Sequence, residues 1–182
     1  MSRGRVILAD ERFALTIERL CRELIENYGD FSDSCIVGIQ PRGIQMSDRI
    51  VKRLRQLVRA PKFDYGKLDI TFYRDDFRTR DKPISGSTTE IDFLVEEKRV
   101  LLIDDVLYTG RTVQAALTAI QHYGRAGQVQ LMAMIDRRFN RHLPIQCDYA
   151  GLIVDALDEA YVKVEWKETD GKDQIKLFSK PK

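Results

Sequence analysis

The chain has 182 residues, of which 43% are hydrophobic and 32% charged, with a net charge of +2. That length fits one domain (residues 1–182) with a substantial core, and the composition is that of neither a disordered chain nor a membrane protein. No apolar run approaches the ~20 residues needed to cross a bilayer and the first residues lack a secretory pattern, so no membrane partner and a cytoplasmic location are expected.

Residues 11–28 are predicted as a helix, with Phe13, Ile17, Leu20, Leu24 and Tyr28 on one face and Asp10 as N-cap. The short apolar run 35–39 reads as a buried strand, and 44–59 returns to helical spacing through Ile44, Ile50, Leu54 and Val58. Residues 68–73 alternate like a strand. From 74 to 92 periodicity gives way to Pro83, Gly86, hydroxyl residues and charges. Loops of that length in a compact domain are active-site lids or disordered segments. An apolar strand at 100–103 then leads through a turn into a helix over 112–123, followed by a strand at 129–135. Beyond 136 the pattern loosens, with candidate strands at 161–166 and 174–178. Strands alternating with helices predict an α/β fold, with a mostly parallel central sheet flanked by helices. Ligands of such sheets sit beyond the carboxyl ends of the strands, which singles out the loops at 40–43, 74–92 and 105–112.

Several residue classes carry little chemistry. Cys21, Cys35 and Cys147 have no metal-like spacing and read as reduced core thiols. His122 lies on a predicted helix, and His142 has no catalytic partner in the sequence, which argues against a Ser/His/Asp or Cys/His hydrolase. Residues 41–62 are strongly basic, with Arg42, Arg49, Lys52, Arg53, Arg55, Arg59 and Lys62 against Asp48. Most of these cations fit the solvated face of an amphipathic helix; a surface for polyanions is the sharper reading.

Chemistry concentrates in the run 100–112. A buried strand delivers two adjacent carboxylates, Asp104 and Asp105, immediately before a turn that opens a helix. Two neighbouring buried carboxylates repel unless sugar hydroxyls or a cation compensate. In the turn, Gly110 permits close backbone approach and the Thr109 and Thr112 hydroxyls can donate to phosphate oxygens, beside a positive helix N-terminus. The sequence is not a Walker A loop, lacking its Gly-Lys-Ser/Thr ending. The pattern as a whole suits a sugar phosphate. Gln40, Pro41, Arg42 and Gly43 form a second strand-to-helix turn carrying a guanidinium, a fit for a further phosphate group. Arg74 heads the long loop, from which it can close over an anionic leaving group.

The run 100–112 resembles the phosphoribosyl-diphosphate (PRPP) signature of type I phosphoribosyltransferases. Residues 37–43, 68–76, Asp136 with Arg137, and 143–145 are similar to the bacterial pyrimidine operon attenuation regulators (the PyrR family), which are also uracil phosphoribosyltransferases. The resemblance covers roughly residues 5–150. It implies the type I fold, with a flexible loop at about 74–92 and a small base-binding hood mainly within 136–182. It also implies Mg²⁺-dependent transfer of ribose 5-phosphate from PRPP to uracil, giving UMP and pyrophosphate. On this reading Asp104 and Asp105 hold the ribose hydroxyls, and Mg²⁺ has no direct protein ligand but is held near them through PRPP and water. Val106, Leu107, Tyr108, Thr109, Gly110, Arg111 and Thr112 complete the PRPP site, the last five wrapping the 5′-phosphate. Residues 40–43 form the pyrophosphate loop, Arg42 and Arg74 stabilise the leaving group, and Asp136 and Arg137 meet the base. Tyr108 stands where several purine-specific relatives carry an acidic residue, which favours a pyrimidine. The family generally forms dimers or larger homo-oligomers.

RNA is the other partner the resemblance implies, through Arg19, Arg22 and Arg141. Here the sequence departs from the family: Glu18 replaces a Thr, Gln146 an Arg, and residues 151–157 a Gly-Lys-Asn run. Pro41 also replaces a Thr in the pyrophosphate loop, and Arg138 a Gly near the base pocket. Lost cationic contacts weaken RNA binding steeply through counterion release. Enzyme activity therefore ranks above RNA attenuation, and a UMP-sensing RNA-binding attenuation regulator with weak or no enzyme activity is the alternative.

Overall fold

The computed structural model of the chain describes residues 4–74, 88–155 and 160–178. In chain order these form β1 (Arg5–Ala9), α1 (Asp10–Tyr28), β2 (Ser34–Ile39), α2 (Gly43–Leu57), β3 (Phe63–Leu68), β4 (Arg99–Leu107), α3 (Arg111–Ile120), β5 (Gln128–Arg137), β6 (Tyr149–Val154), β7 (Tyr161–Glu165), the single turn α4 (Lys167–Asp170) and β8 (Gln174–Phe178). Five strands make a parallel sheet in the order β3-β2-β4-β5-β6, and a separate antiparallel sheet runs β1-β8-β7.

Side chains alternate across the central strands, as the pleat requires, and this alternation divides the core in two. Ile36, Leu101 and Ile103 pack with Phe13, Leu20 and Leu24 of α1 and Met46, Ile50 and Leu54 of α2. Cys35, Val37, Val100 and Leu102 face the other way, against Val113, Ala116 and Ile120 of α3. Each such large aliphatic side chain stabilises the fold by roughly 1.5–3 kcal/mol. A strand buried on both faces reads as a continuous apolar run, which is why 35–39 of β2 and 100–103 of β4 are plain in the sequence.

The small sheet extends the α1/α2 side of the core through Val162, Val164, Trp166 and Ile175. Trp166 meets Phe13 edge-on at 5.2 Å between ring centroids. The Arg49 guanidinium lies over the Trp166 ring at 5.0 Å and pairs with both Glu168 and Asp173, fastening this sheet to α2.

Several expected boundaries move, each for a local reason. The strand expected at 68–73 lies at Phe63–Leu68 instead, and Thr71–Tyr73 form a 3-10 turn. Asp69 stops the strand, because its carboxylate accepts from both the Thr71 N–H (2.9 Å) and the Thr71 hydroxyl (2.5 Å). Asp10 is the first residue of α1, at φ 48°, rather than its cap; Ala9 takes the cap position and offers no side-chain acceptor. Helix α3 ends at Ile120 and continues as a 3-10 turn to Tyr123. Of the stretch 136–182, Tyr149–Val154 joins the large sheet, whereas the small sheet recruits the N-terminal strand β1. The long loop expected at 74–92 falls mostly outside the described residues. Its described end is tied down where Glu90 bridges to Lys67 of β3 and Asp69 N–H donates to Thr89 Oγ1.

Burial pushes the thiols of Cys21, Cys35 and Cys147 up to about 12, which leaves them inert at neutral pH. No helix among the described residues is long and apolar enough to cross a membrane.

Candidate active site

The sheet order creates the site. β2 connects through α2 outward to β3, whereas its neighbour β4 connects through α3 outward to β5, so the two crossovers diverge. A crevice opens between the carboxyl ends of two adjacent parallel strands whose connections part in this way. Residues 40–43 leave β2 on one side of it, and residues 108–112 leave β4 on the other.

Asp104 and Asp105 sit near the end of β4, only 5% and 6% exposed. Asp104 Oδ1 accepts the Asp105 N–H at 2.8 Å, and Asp105 Oδ2 pairs with Arg42 Nε at 3.0 Å. Burial raises both carboxyls above their ordinary range. The adjacent Asp105 charge pushes Asp104 higher still, while Arg42 partly offsets the burial of Asp105. One cation thus serves two buried carboxyls. Such a pair suits a ligand that brings hydroxyl donors or a cation to it. Among the described residues no group of three or more His, Cys, Asp or Glu side chains could hold a metal ion. A divalent ion beside these two carboxylates therefore needs further oxygens from a ligand or water, a requirement a polyphosphate meets.

The opposite wall is built by close backbone packing. A Cβ at Gly43 would lie 2.4 Å from Ile103 O and 3.0 Å from Asp104 Cα, so only glycine lets the start of α2 reach β4. This approach carries Arg42 to Asp105. The Gln40–Pro41 peptide bond is cis, Gln40 N–H donates to Leu68 O (2.9 Å), and its side-chain amide donates to Thr88 O (2.8 Å). Tyr161 of β7 stands close enough to Arg42 to help, with Asp105, to hold the guanidinium charged. Tyr161 had no motif to mark it in the sequence, and the antiparallel pairing of β7 with β8 is what brings it here.

The turn after β4 ends on Gly110, at φ 92°, which takes the cap position of α3, and the Thr109 hydroxyl accepts the Arg111 N–H at a long 3.4 Å. A helix start so weakly capped attracts an anion. Arg74, at the head of the long loop, reaches Thr112 Oγ1 at 3.4 Å. Arg137 at the end of β5 is 4% exposed; its guanidinium stacks on the Tyr108 ring at 3.9 Å. Its Nε and Nη2 find no acceptor among the described residues. Asp136 pairs with Arg141, whose guanidinium also donates to Tyr108 O.

The crevice thus brings together Gln40, Pro41, Arg42, Gly43, Arg74, Asp104, Asp105, residues 108–112, Asp136 and Arg137, together with Arg141, which was expected among RNA contacts; the side chains of Val106 and Leu107 pack instead into the cores on the two faces of β4. Arg19 and Arg22 lie elsewhere, on α1. Arg19 donates to Ala150 O and Gly151 O of β6 and pairs with Glu23, while Arg22 pairs with Glu18. Glu18 also pairs with Arg53. Glu18 therefore neutralises cations on two helices.

The family model for the phosphoribosyl transferase domain matches residues 5–169. Proteins named "Bifunctional protein PyrR" from Bacillus mycoides and Bacillus cereus are each 36% identical over 184 residues, covering 99% of this chain and 100% of the relative. Among solved structures, a hypoxanthine phosphoribosyltransferase from Staphylococcus aureus superposes with a TM-score of 0.69 at 20% identity, over 97% of this chain and 93% of that one. The hypoxanthine phosphoribosyltransferase of Trypanosoma cruzi gives 0.68 at 12% identity, over 96% of each chain. At such identities these two likenesses speak for the fold alone. The family match over most of the chain, joined to full-length relatives at 36% identity, shows that the chain belongs to the phosphoribosyltransferase family.

Proposed function

We propose that this chain is a uracil phosphoribosyltransferase, which transfers ribose 5-phosphate from PRPP to uracil and releases pyrophosphate. The observation that carries the reading is the pair of buried, under-compensated carboxyls Asp104 and Asp105, set between two turns at the point where the crossovers diverge. Asp104 and Asp105 accept hydrogen bonds from the ribose hydroxyls, and residues 108–112 hold the 5′-phosphate on the N-terminus of α3. The bond from C1 of the ribose to the pyrophosphate oxygen breaks, with its electron pair leaving on that oxygen. A bond from C1 to N1 of the base forms, and the N1 proton passes to water or to the leaving group. No protein nucleophile is needed. Negative charge accumulates on the departing pyrophosphate, where residues 40–43 with Arg42, and Arg74 from the loop, supply donors. Mg²⁺ bound through the diphosphate beside Asp104 and Asp105 would neutralise part of that charge. Arg137 offers two buried donors that have no acceptor among the described residues, which suit the carbonyl oxygens of a pyrimidine, and Asp136 stands beside it.

The test is UMP formation from uracil and PRPP with Mg²⁺. The Asp104→Asn/Asp105→Asn double variant is expected to stay folded and lose turnover; unchanged turnover would overturn the assignment. A second role, UMP-responsive binding of an RNA leader, is proposed because the relatives are named bifunctional. It predicts RNA binding that UMP strengthens and salt weakens. Weak, sequence-independent binding at physiological salt refutes it.

A further inference from the structure

We infer that Arg141 is a positioning residue: with residues 142–145 it forms a strap behind the phosphate turn and aims that turn's N–H groups into the crevice. Arg141 Nη1 donates to Tyr108 O and Nη2 to Asp136 Oδ1. The Arg141 and Asp136 side chains are 18% and 15% exposed. One residue further on, His142 N–H donates to Thr109 O at 3.0 Å. Beyond that, Leu143 and Ile145 close over Gly110, where an added Cβ would lie 3.2 Å from Ile145 Cδ1.

Peptide geometry converts these contacts into a function. In a planar trans peptide the C=O of one residue and the N–H of the next point in opposite directions. Arg141, by drawing the Tyr108 carbonyl backwards, turns the Thr109 N–H forwards. His142 N–H does the same through the Thr109 carbonyl, turning the Gly110 N–H forwards. Two successive N–H groups are thereby aimed away from the strap, towards the place a phosphate takes on α3. The remaining arm of the guanidinium holds Asp136, so one planar side chain ties the phosphate turn to the end of β5. A lysine, with a single ammonium, reaches one of these acceptors but does not reproduce the fork. A guanidinium committed to two internal acceptors is also a poor candidate for an RNA contact.

This inference rests on the nucleotide reading of the site, and the test separates the two. Calorimetry on the full chain compares UMP with pyrophosphate, each with Mg²⁺, for wild type, Arg141→Ala and Arg141→Lys. Loss of a charge-assisted bond that orients the turn is expected to weaken UMP about tenfold or more in both variants. Pyrophosphate, gripped by residues 40–43 on the other wall, is expected to keep its affinity within about twofold. Arg141→Lys keeps a cation beside Asp136, so it reports even if Arg141→Ala fails to fold. Parallel weakening of both ligands, or unchanged UMP affinity in either folded variant, overturns the inference alone. Absence of UMP binding by the wild type overturns the nucleotide reading and this inference together.

Discussion

Asp104→Asn should make the protein more stable while removing its activity. Asp104 is 5% exposed, accepts a hydrogen bond from the Asp105 N–H, and has a second carboxylate beside it. Burial and that neighbour both disfavour its charge, so its carboxyl titrates well above the ordinary range. Asparagine has the same shape. Its Oδ1 keeps the bond from Asp105 N–H, and its amide offers Asp105 at every pH the donor that Asp104 offers only while protonated. Relieving one under-compensated buried polar group is worth ~1–3 kcal/mol, which at this chain length raises Tm by several degrees. The sign of the pH dependence follows from the raised native value. Below the ordinary carboxylate range both states hold the proton and there is no penalty. As pH rises through that range the unfolded chain ionises first, and stability falls until the native carboxyl ionises too. Urea unfolding across that acid-to-neutral window should therefore show wild type losing stability relative to Asp104→Asn, while UMP formation is abolished in the variant. A variant no more stable than wild type at neutral pH, with the same pH dependence, would refute the account of the carboxyl pair.

Two further outcomes are expected. Gly43→Ala sets a Cβ 2.4 Å from Ile103 O, against backbone that has no flexible end to yield, so a loss of about 1–3 kcal/mol by urea unfolding should accompany a fall in kcat as Asp104 is displaced; an alanine variant with wild-type stability and turnover sinks that reading of the packing. Glu18→Gln releases Arg22 and Arg53 from their shared carboxylate, and filter binding should then show tighter RNA association with a log–log salt slope steeper by up to roughly 0.7–0.9 per freed cation. An unchanged slope means that neither arginine faces the nucleic acid.

What the sequence disclosed depended on the range over which each signal acts. Residues 35–39 of β2 and 100–103 of β4 carry no polar side chain because both faces are covered, and α1 and α2 repeat at helical spacing, so these elements were legible from local pattern. β3 was not. It is an edge strand whose Asp64, Tyr65 and Lys67 pair with Lys98, Asp48 and Glu90, and its polar side chains hid the period, while the more apolar 68–73 was broken by the Asp69 turn. The pairing of Arg5–Ala9 with Gln174–Phe178 joins the two ends of the chain and leaves no local trace. In the site the same division holds. The two turns after β2 and β4 carry their chemistry in contiguous residues, whereas Tyr161 beside Arg42 and Arg141 behind Tyr108 arrive through tertiary contacts.

The basic stretch 41–62 shows how far a charge count misleads when such contacts intervene. Read along the sequence, it is a run of seven cations against Asp48. In the fold, Arg42 is committed to Asp105, Arg49 to Glu168 and Asp173, Arg53 to Glu18, and Lys62 to Asp30. Lys52, Arg55 and Arg59 stay exposed, with Arg55 lying over the Phe63 ring at 5.8 Å. Each commitment does a different job: Arg42 compensates a buried carboxyl in the active site, Arg49 anchors the small sheet, and Arg53 joins α2 to α1. Arg19, Arg22 and Arg141 are likewise held by protein acceptors. A polyanion approaching these arginines and lysines must compete with their internal partners, and each displaced ion pair subtracts from the gain of releasing counterions. Arg42, by contrast, is committed inside the crevice, where the start of α3 adds the positive end of a helix.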